Sequence, residues 1–269
     1  MLIISLAMMF MIQNKIIILF VSYLFIVGLC LGSFFNVVGL RVPLKKSIIR
    51  PRSACSTCGH QLKAHELIPV LSYLIQGGKC RGCKSRISPI YPVFELLTGI
   101  LFAAAPSLVG WSCELVIALT LISLFMIIIV SDIHYMIIPD KILLWFAGIF
   151  LLERVFIPLT PWWDSLLGMV TGFLLLLIIA LVSKGGMGFG DVKLYALLGF
   201  VLGIKLVLLS FFLSTLYGAV IGGLALVLKI VKRRQPIPFG PFIAAGTLSA
   251  YFWGTDLINM YFQFLNQGL

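Results

Sequence analysis

Only nine carboxylates occur among the 269 residues, so each one beside an apolar run can be weighed singly. Asp132 closes such a run, in Ile-Ile-Ile-Val-Ser-Asp132-Ile-His. A carboxylate at the C-terminus of a helix faces the negative end of the macrodipole, a placement disfavoured by up to about 1 kcal/mol. No structural need recommends an aspartate there, which makes it a candidate for chemistry. Asp191 ends a glycine-rich stretch, Gly185-Gly-Met-Gly188-Phe-Gly190-Asp191. Helix capping is its bland reading. Gly188 and Gly190 would equally let the backbone approach a neighbouring helix or an extended substrate. Two carboxylates at one site can share a proton. The ionised member then draws a proton from water while the protonated member polarises a peptide carbonyl. That is aspartic-protease chemistry, and it needs neither metal nor covalent intermediate.

Two further acids support this candidate site. Asp140 follows Pro139 at the start of an apolar run, where capping is its ordinary job. Glu95 lies in Tyr-Pro-Val-Phe-Glu95-Leu-Leu, and a carboxylate in an apolar helix is a functional candidate unless a loop Arg or Lys pairs with it. Glu153 and Arg154, adjacent near the end of another apolar run, read as interfacial anchors.

Four of the six cysteines form two knuckles, Cys55-Ser-Thr-Cys58 and Cys80-Arg-Gly-Cys83. A two-residue gap lets both thiolates of a pair face one tetrahedral ion, and two such pairs suit Zn(II). Two disulfides are the competing reading, disfavoured if the loop faces a reducing cytoplasm. Four sulfur ligands leave no open position for a catalytic water, so the metal would organise the loop. His60 and His65 lie between the knuckles and read as solvated. Cys30 and Cys113, in or beside apolar runs, read as small buried hydrophobes.

The elements that must position these residues are membrane helices. Hydrophobic residues make up 61% of the chain and charged residues 11%, with a mean hydropathy of +1.14. These values exclude a water-soluble globular or a disordered protein. Leu115 to Val130 is apolar on every face, which excludes a membrane β-barrel. The expected fold is all-α and polytopic, with about eight transmembrane helices near 17–40, 93–109, 113–131, 141–158, 164–182, 192–203, 206–229 and 240–262. Residues 1–12 read as an extension of the first. The division is 1–40 for the first helix, 41–92 for the four-cysteine loop and 93–269 for the remaining core.

Of the net charge of +11, ten basic residues lie between Arg41 and Arg86. Basic residues collect in cytoplasmic loops, so this loop should be cytoplasmic. The loops near 132–140, 183–191 and 230–239, with Lys141, Lys184, Lys193, Lys232, Arg233 and Arg234, then follow by alternation. Two crossings separate Asp132 from Asp191, which puts both at the cytoplasmic membrane face. No nucleic-acid-reading pattern accompanies the charge, so direct nucleic-acid binding is not expected. Membrane lipid is the evident surrounding.

Several motifs in order resemble the type IV prepilin peptidase family. They include Gly32-Ser-Phe-Phe-Asn36-Val-Val, Arg41-Val-Pro43, Arg52-Ser-Ala-Cys55 and Glu66-Leu-Ile-Pro69-Val-Leu-Ser72-Tyr. Ile87-Ser-Pro-Ile-Tyr91-Pro92, Pro139-Asp140, Gly188-Phe-Gly190-Asp191-Val-Lys193-Leu and Pro238-Phe-Gly240-Pro241 follow. The GxGD signature is shared with presenilin-like intramembrane aspartic proteases. Within the family the chain is most similar to the competence prepilin peptidases of Gram-positive bacteria. The resemblance implies that Asp132 and Asp191 are the catalytic pair. It implies type IV prepilin or competence pseudopilin substrates, cleaved after a basic leader at the cytoplasmic face of the bacterial plasma membrane. It further implies N-methylation of the new N-terminus with S-adenosylmethionine, an activity associated with the cysteine loop, where Gly78-Lys79 precedes Cys80 in the family manner. The rival readings are an ion-coupled transporter using Asp132, Asp191 and Glu95, and a non-catalytic assembly component of a pilus or secretion machine.

Overall fold

The computed structural model describes residues 2–183, 187–231 and 237–267, with the backbone alone for 2–14 and 267. It is helical, with only two isolated antiparallel bridges among the described residues, Ala54 to Gln61 and Lys79 to Arg86. The helices are α1 (Leu2–Arg41), α2 (Leu71–Ile75), α3 (Ile90–Val109), α4 (Glu114–Tyr135), α5 (Asp140–Phe156), α6 (Asp164–Val182), α7 (Phe189–Val227) and α8 (Gly240–Gln267). A backbone break at Gly203 splits α7, so the eight expected long segments are all present. Residues 15–41 of α1, together with α3, α4, α6 and α7, are long and apolar enough to cross a bilayer. At 17 residues, α5 spans only about 25 Å. The chain is a multi-pass membrane protein. Lys184, Lys232, Arg233 and Arg234 of the expected basic loops lie outside the described residues.

Contacts divide the chain into two compact units, Met1–Arg41 with Lys45–Met126, and Val42–Leu44 with Ile127–Leu269. In the N-terminal unit, α1 packs on α3 through small residues. A Cβ on Gly28 would lie 2.8 Å from the Gly99 Cα, and one on Gly32 would lie 2.9 Å from the Glu95 Cα. Gly28 and Gly32 stand four residues apart, the spacing that lets membrane helices touch backbone to backbone. Cys30 lies off this buried face of α1 and is exposed rather than buried; Cys113, in the turn before α4, is exposed as well.

In the C-terminal unit the same device recurs. Gly168 and Gly172 of α6 face Gly199, Gly203 and Tyr195 of α7, and a Cβ on Gly168 would lie 2.8 Å from the Gly203 Cα. Between α7 and α8 the contact is polar, with Ser210 Oγ 2.7 Å from Thr247 Oγ1. Such hydroxyl pairs hold helices together where no water competes.

The break at Gly203 (φ 76°, ψ 177°) lies in a region of backbone space that only glycine occupies without strain. Both freed ends are capped. Arg154 of α5 donates from Nε (3.0 Å) and Nη2 (2.5 Å) to the Val201 carbonyl, and Asp164 Oδ1 of α6 accepts from the Ile204 N–H at 3.3 Å. Arg154 is therefore not an interfacial anchor. It is 5% exposed, because a carbonyl left open by the break needs a buried donor. Gly203→Ala combines backbone strain with a collision against the Asp164 carboxylate. It should destabilise the protein by at least about 2 kcal/mol. Thermal unfolding in detergent tests this, and an unchanged midpoint would mean that the break is not required.

Candidate active site and metal centre

Asp132 lies in the last turn of α4 and is 7% exposed. The chain then turns sharply, with Met136 N–H donating to the Asp132 carbonyl (2.8 Å) and Ser131 Oγ donating to the Ile137 carbonyl (2.5 Å). The Asp132 carboxylate accepts, through Oδ2, the N–H of Gly240 at 2.6 Å. Gly240 is the first residue of α8, so the carboxylate meets the positive end of a second helix. That contact offsets the unfavourable field at the end of its own helix, on the order of 1 kcal/mol. A Cβ on residue 240 would lie 2.8 Å from Oδ2 and 3.1 Å from the Asp132 Cβ, so glycine is what permits the bond. The sequence shows this residue only as part of the Pro238-Phe-Gly240-Pro241 motif, and nothing in it points to Asp132.

Asp191 is the third residue of α7, inside the first turn and not ahead of the helix; Gly188 is the N-cap. Its N–H donates to the Gly188 carbonyl at 3.1 Å. The Asp132 and Asp191 carboxylates are close enough to interact electrostatically. The two glycines of the motif do different work. A Cβ on Gly190 would lie 2.9 Å from the Cβ of Ile138, in the turn after Asp132, whereas one on Gly188 would meet nothing nearer than 3.6 Å. Gly190 thus brings the start of α7 against the turn that carries Asp132. Accordingly, Gly190→Ala should lower turnover by about 10- to 100-fold through misplacement of Asp191, and Gly188→Ala should stay near wild type. Steady-state cleavage by both variants checks this; equal losses would show that Gly190 packing does not place the carboxylate.

Asp140 is the first residue of α5, after the N-cap Pro139. Both its oxygens accept from Lys193 Nζ at 2.8 Å. Both side chains are more than half exposed, so the pair contributes less than about 1 kcal/mol. Its geometric effect is to tie the starts of α5 and α7 together. Glu95 stands elsewhere, in the N-terminal unit, where its Oε2 accepts the Val70 N–H at 2.8 Å.

The four knuckle cysteines gather in the same N-terminal unit. Their sulfurs all lie within 4.8 Å of one another, with Cys55 to Cys83 at 3.8 Å and Cys58 to Cys80 at 3.9 Å. All are free thiols. A Zn–S distance of about 2.3 Å requires tetrahedral edges of about 3.8 Å, so the residues fit the ion. The knuckle N–H groups of Cys58 and Thr57 bring the Cys55 thiol down to about 5. Cys58, despite the His60 N–H that favours its thiolate, is pushed up to about 11, chiefly by the Cys83 sulfur. Crowded thiolates repel, and a dication would remove that conflict.

His60 is partly exposed but is held by the protein: its Nε2 lies 3.1 Å from Glu66 Oε2. Glu66, 6% exposed, also accepts the Lys63 N–H at 2.9 Å, and that bond holds its carboxyl below the usual range. His65 Nε2 accepts from Arg81 Nη1 at 3.0 Å. Gly78 has a positive φ of 66°, and a Cβ there would lie 2.9 Å from the Tyr73 ring and hydroxyl. Lys79 is exposed beside it.

Comparison with known proteins agrees with this division. Residues 26–108 match the Bacterial Peptidase A24 N-terminal domain, and residues 117–223 match the Type IV leader peptidase family. The chain is 48% identical to the prepilin leader peptidase/N-methyltransferase of Bacillus subtilis (strain 168), over 90% of this chain and 98% of the relative. It is 34% identical to the protein of the same name from Pseudomonas aeruginosa, over 91% of this chain and 94% of that one. No solved structure matches it. The chain belongs to the type IV leader peptidase family.

Proposed function

We propose that this protein is a membrane aspartic endopeptidase that removes the basic leader of type IV prepilins and competence pseudopilins, and then N-methylates the exposed residue. The observation that carries the peptidase reading is that Asp132 and Asp191 lie in one unit close enough to interact electrostatically, with the Gly240 N–H on one oxygen of Asp132. One carboxylate of the pair takes a proton from the attacking water, and the other donates a hydrogen bond to the scissile carbonyl. Gly240 holds Asp132 Oδ2, which leaves Oδ1 for the water. Gly190 sets the start of α7 against the turn that carries Asp132, and Asp140 fixes Lys193 beside it. Asp132 is the nineteenth of the 22 residues of α4, and Asp191 opens α7, so both sit at helix ends. That position suits cleavage at a membrane face better than ion transfer through the midplane. The positive-inside bias of the 41–92 loop supports a cytoplasmic active site in the bacterial plasma membrane.

The N-terminal unit carries the methyl-transfer reading, with Zn(II) held by Cys55, Cys58, Cys80 and Cys83 as a loop-organising ion. S-adenosylmethionine supplies the methyl group. Gly78 acts through Tyr73, whose ring it supports, and Lys79 adds a positive charge at the loop surface. Incubating the purified protein with a pilin-like precursor and S-adenosylmethionine, and weighing the product intact, tests both activities. Loss of the leader plus one methyl group is the expected result. An unprocessed precursor would reject the peptidase and leave the assembly-component reading.

A further inference from the structure

The N-terminal unit holds a partly open cavity of about 470 Å³, within the size range of small-molecule sites. Its wall carries buried acceptors. Asn36 of α1 is 5% exposed, and its Nδ2 donates to the Tyr91 carbonyl of α3 at 3.2 Å. A carbonyl can only accept, so the amide orientation is settled and Oδ1 is the free atom. That Oδ1 is buried and has no hydrogen-bond partner. Glu95, one turn along α3 and 9% exposed, also lines the cavity. A buried acceptor without a donor is costly and points to a missing N–H.

We propose that this cavity is the binding site for S-adenosylmethionine, with Asn36 Oδ1 and the Glu95 carboxylate receiving its α-ammonium group. The inference rests on the methyltransferase reading above. An α-ammonium is also present at the N-terminus of a processed pilin. The cavity, however, is lined by Arg41 and Arg86 as well, which suit a free carboxylate beside the ammonium. The methyl donor has that carboxylate, and a pilin N-terminus has an amide in its place. Tyr73 and Tyr91 also line the cavity and supply aromatic rings for a cationic sulfonium or an adenine ring.

The test is equilibrium binding of S-adenosylhomocysteine to the full-length, metal-replete protein in detergent, by calorimetry, without turnover. Asn36→Leu and Glu95→Gln should each weaken binding at least tenfold while melting temperature and bound metal stay at wild-type values. Wild-type affinity in both folded variants would overturn the assignment and leave the methyltransferase reading standing. A parallel titration with a phenylalanyl peptide separates the two ammonium sources. Loss of peptide affinity with S-adenosylhomocysteine affinity retained would give the site to the pilin and overturn the proposal. Ultraviolet crosslinking of methyl-labelled S-adenosylmethionine to wild type needs no variant. Label on peptides bearing Tyr73 or Tyr91 supports the site, and label confined to other peptides overturns it. A wild-type protein that neither binds S-adenosylhomocysteine nor methylates would overturn both the site and the methyltransferase reading.

Discussion

Asp132→Asn and Asp191→Asn are each expected to lower leader removal by about 10²- to 10⁴-fold, the range that a positioned acid or base contributes. The expectation is specific to chemistry because asparagine keeps the shape. An asparagine at position 132 can still accept the Gly240 N–H through its amide oxygen, so the contact between α4 and α8 survives. Residue 191 keeps its backbone bond to Gly188 whatever its side chain. Melting temperatures near wild type should therefore accompany the loss. Methyl transfer to a synthetic peptide that already begins at the mature residue should persist in both variants, since neither aspartate belongs to the N-terminal unit. Either variant cleaving within tenfold of wild type would remove the aspartate pair as the catalytic machinery.

The double substitution Cys55→Ser, Cys80→Ser should abolish metal binding and methyl transfer while sparing cleavage. Structural zinc in small sites is worth roughly 10–16 kcal/mol of binding energy, which is folding energy for the loop it closes. Serine supplies no thiolate, and two remaining sulfurs cannot close a tetrahedron. Protons compete with the metal for thiolates, so affinity falls as pH falls. With Cys55 at about 5 and Cys58 pushed up to about 11, Cys58 is a thiol whose proton the ion must displace at neutral pH. Atomic absorption on the purified protein, followed across pH, checks both statements. Metal retained by the double variant, or normal methylation by metal-free wild type, would reject this role for the cluster.

Much of this was legible in the residue order. Apolar run length marked the helices, because a bilayer core of about 30 Å imposes a minimum length on any crossing. The break at Gly203 falls where the short sixth run continues into the seventh, since glycine is the residue that tolerates such a backbone. The knuckle spacing anticipated the sulfur cluster, because a local turn of two residues is nearly sufficient to aim a pair of thiolates. Parity of crossings put Asp132 and Asp191 on the same side of the helices, and the two carboxylates lie close enough to interact.

Contacts between residues distant in sequence were not legible. Arg154 read as an interfacial anchor because its partner, the Val201 carbonyl, is 47 residues away and exists only once α7 is broken. Asp140 read as a cap, yet Lys193 claims it across 53 residues. His60 read as solvated, although Glu66 folds back beneath it.

Residue types and local spacing therefore determined the membrane class, the helices, the sulfur cluster and the identity of the candidate acids. Period, run length and short-range geometry act within a few residues, so they are written along the chain. Tertiary structure alone decided that Gly240 meets Asp132 across 108 residues, that Gly190 and not Gly188 sets the approach to Ile138, and that Glu95 lines a cavity with Asn36. Each of these depends on where a helix end or a missing Cβ falls against a distant neighbour, which packing fixes and local sequence does not.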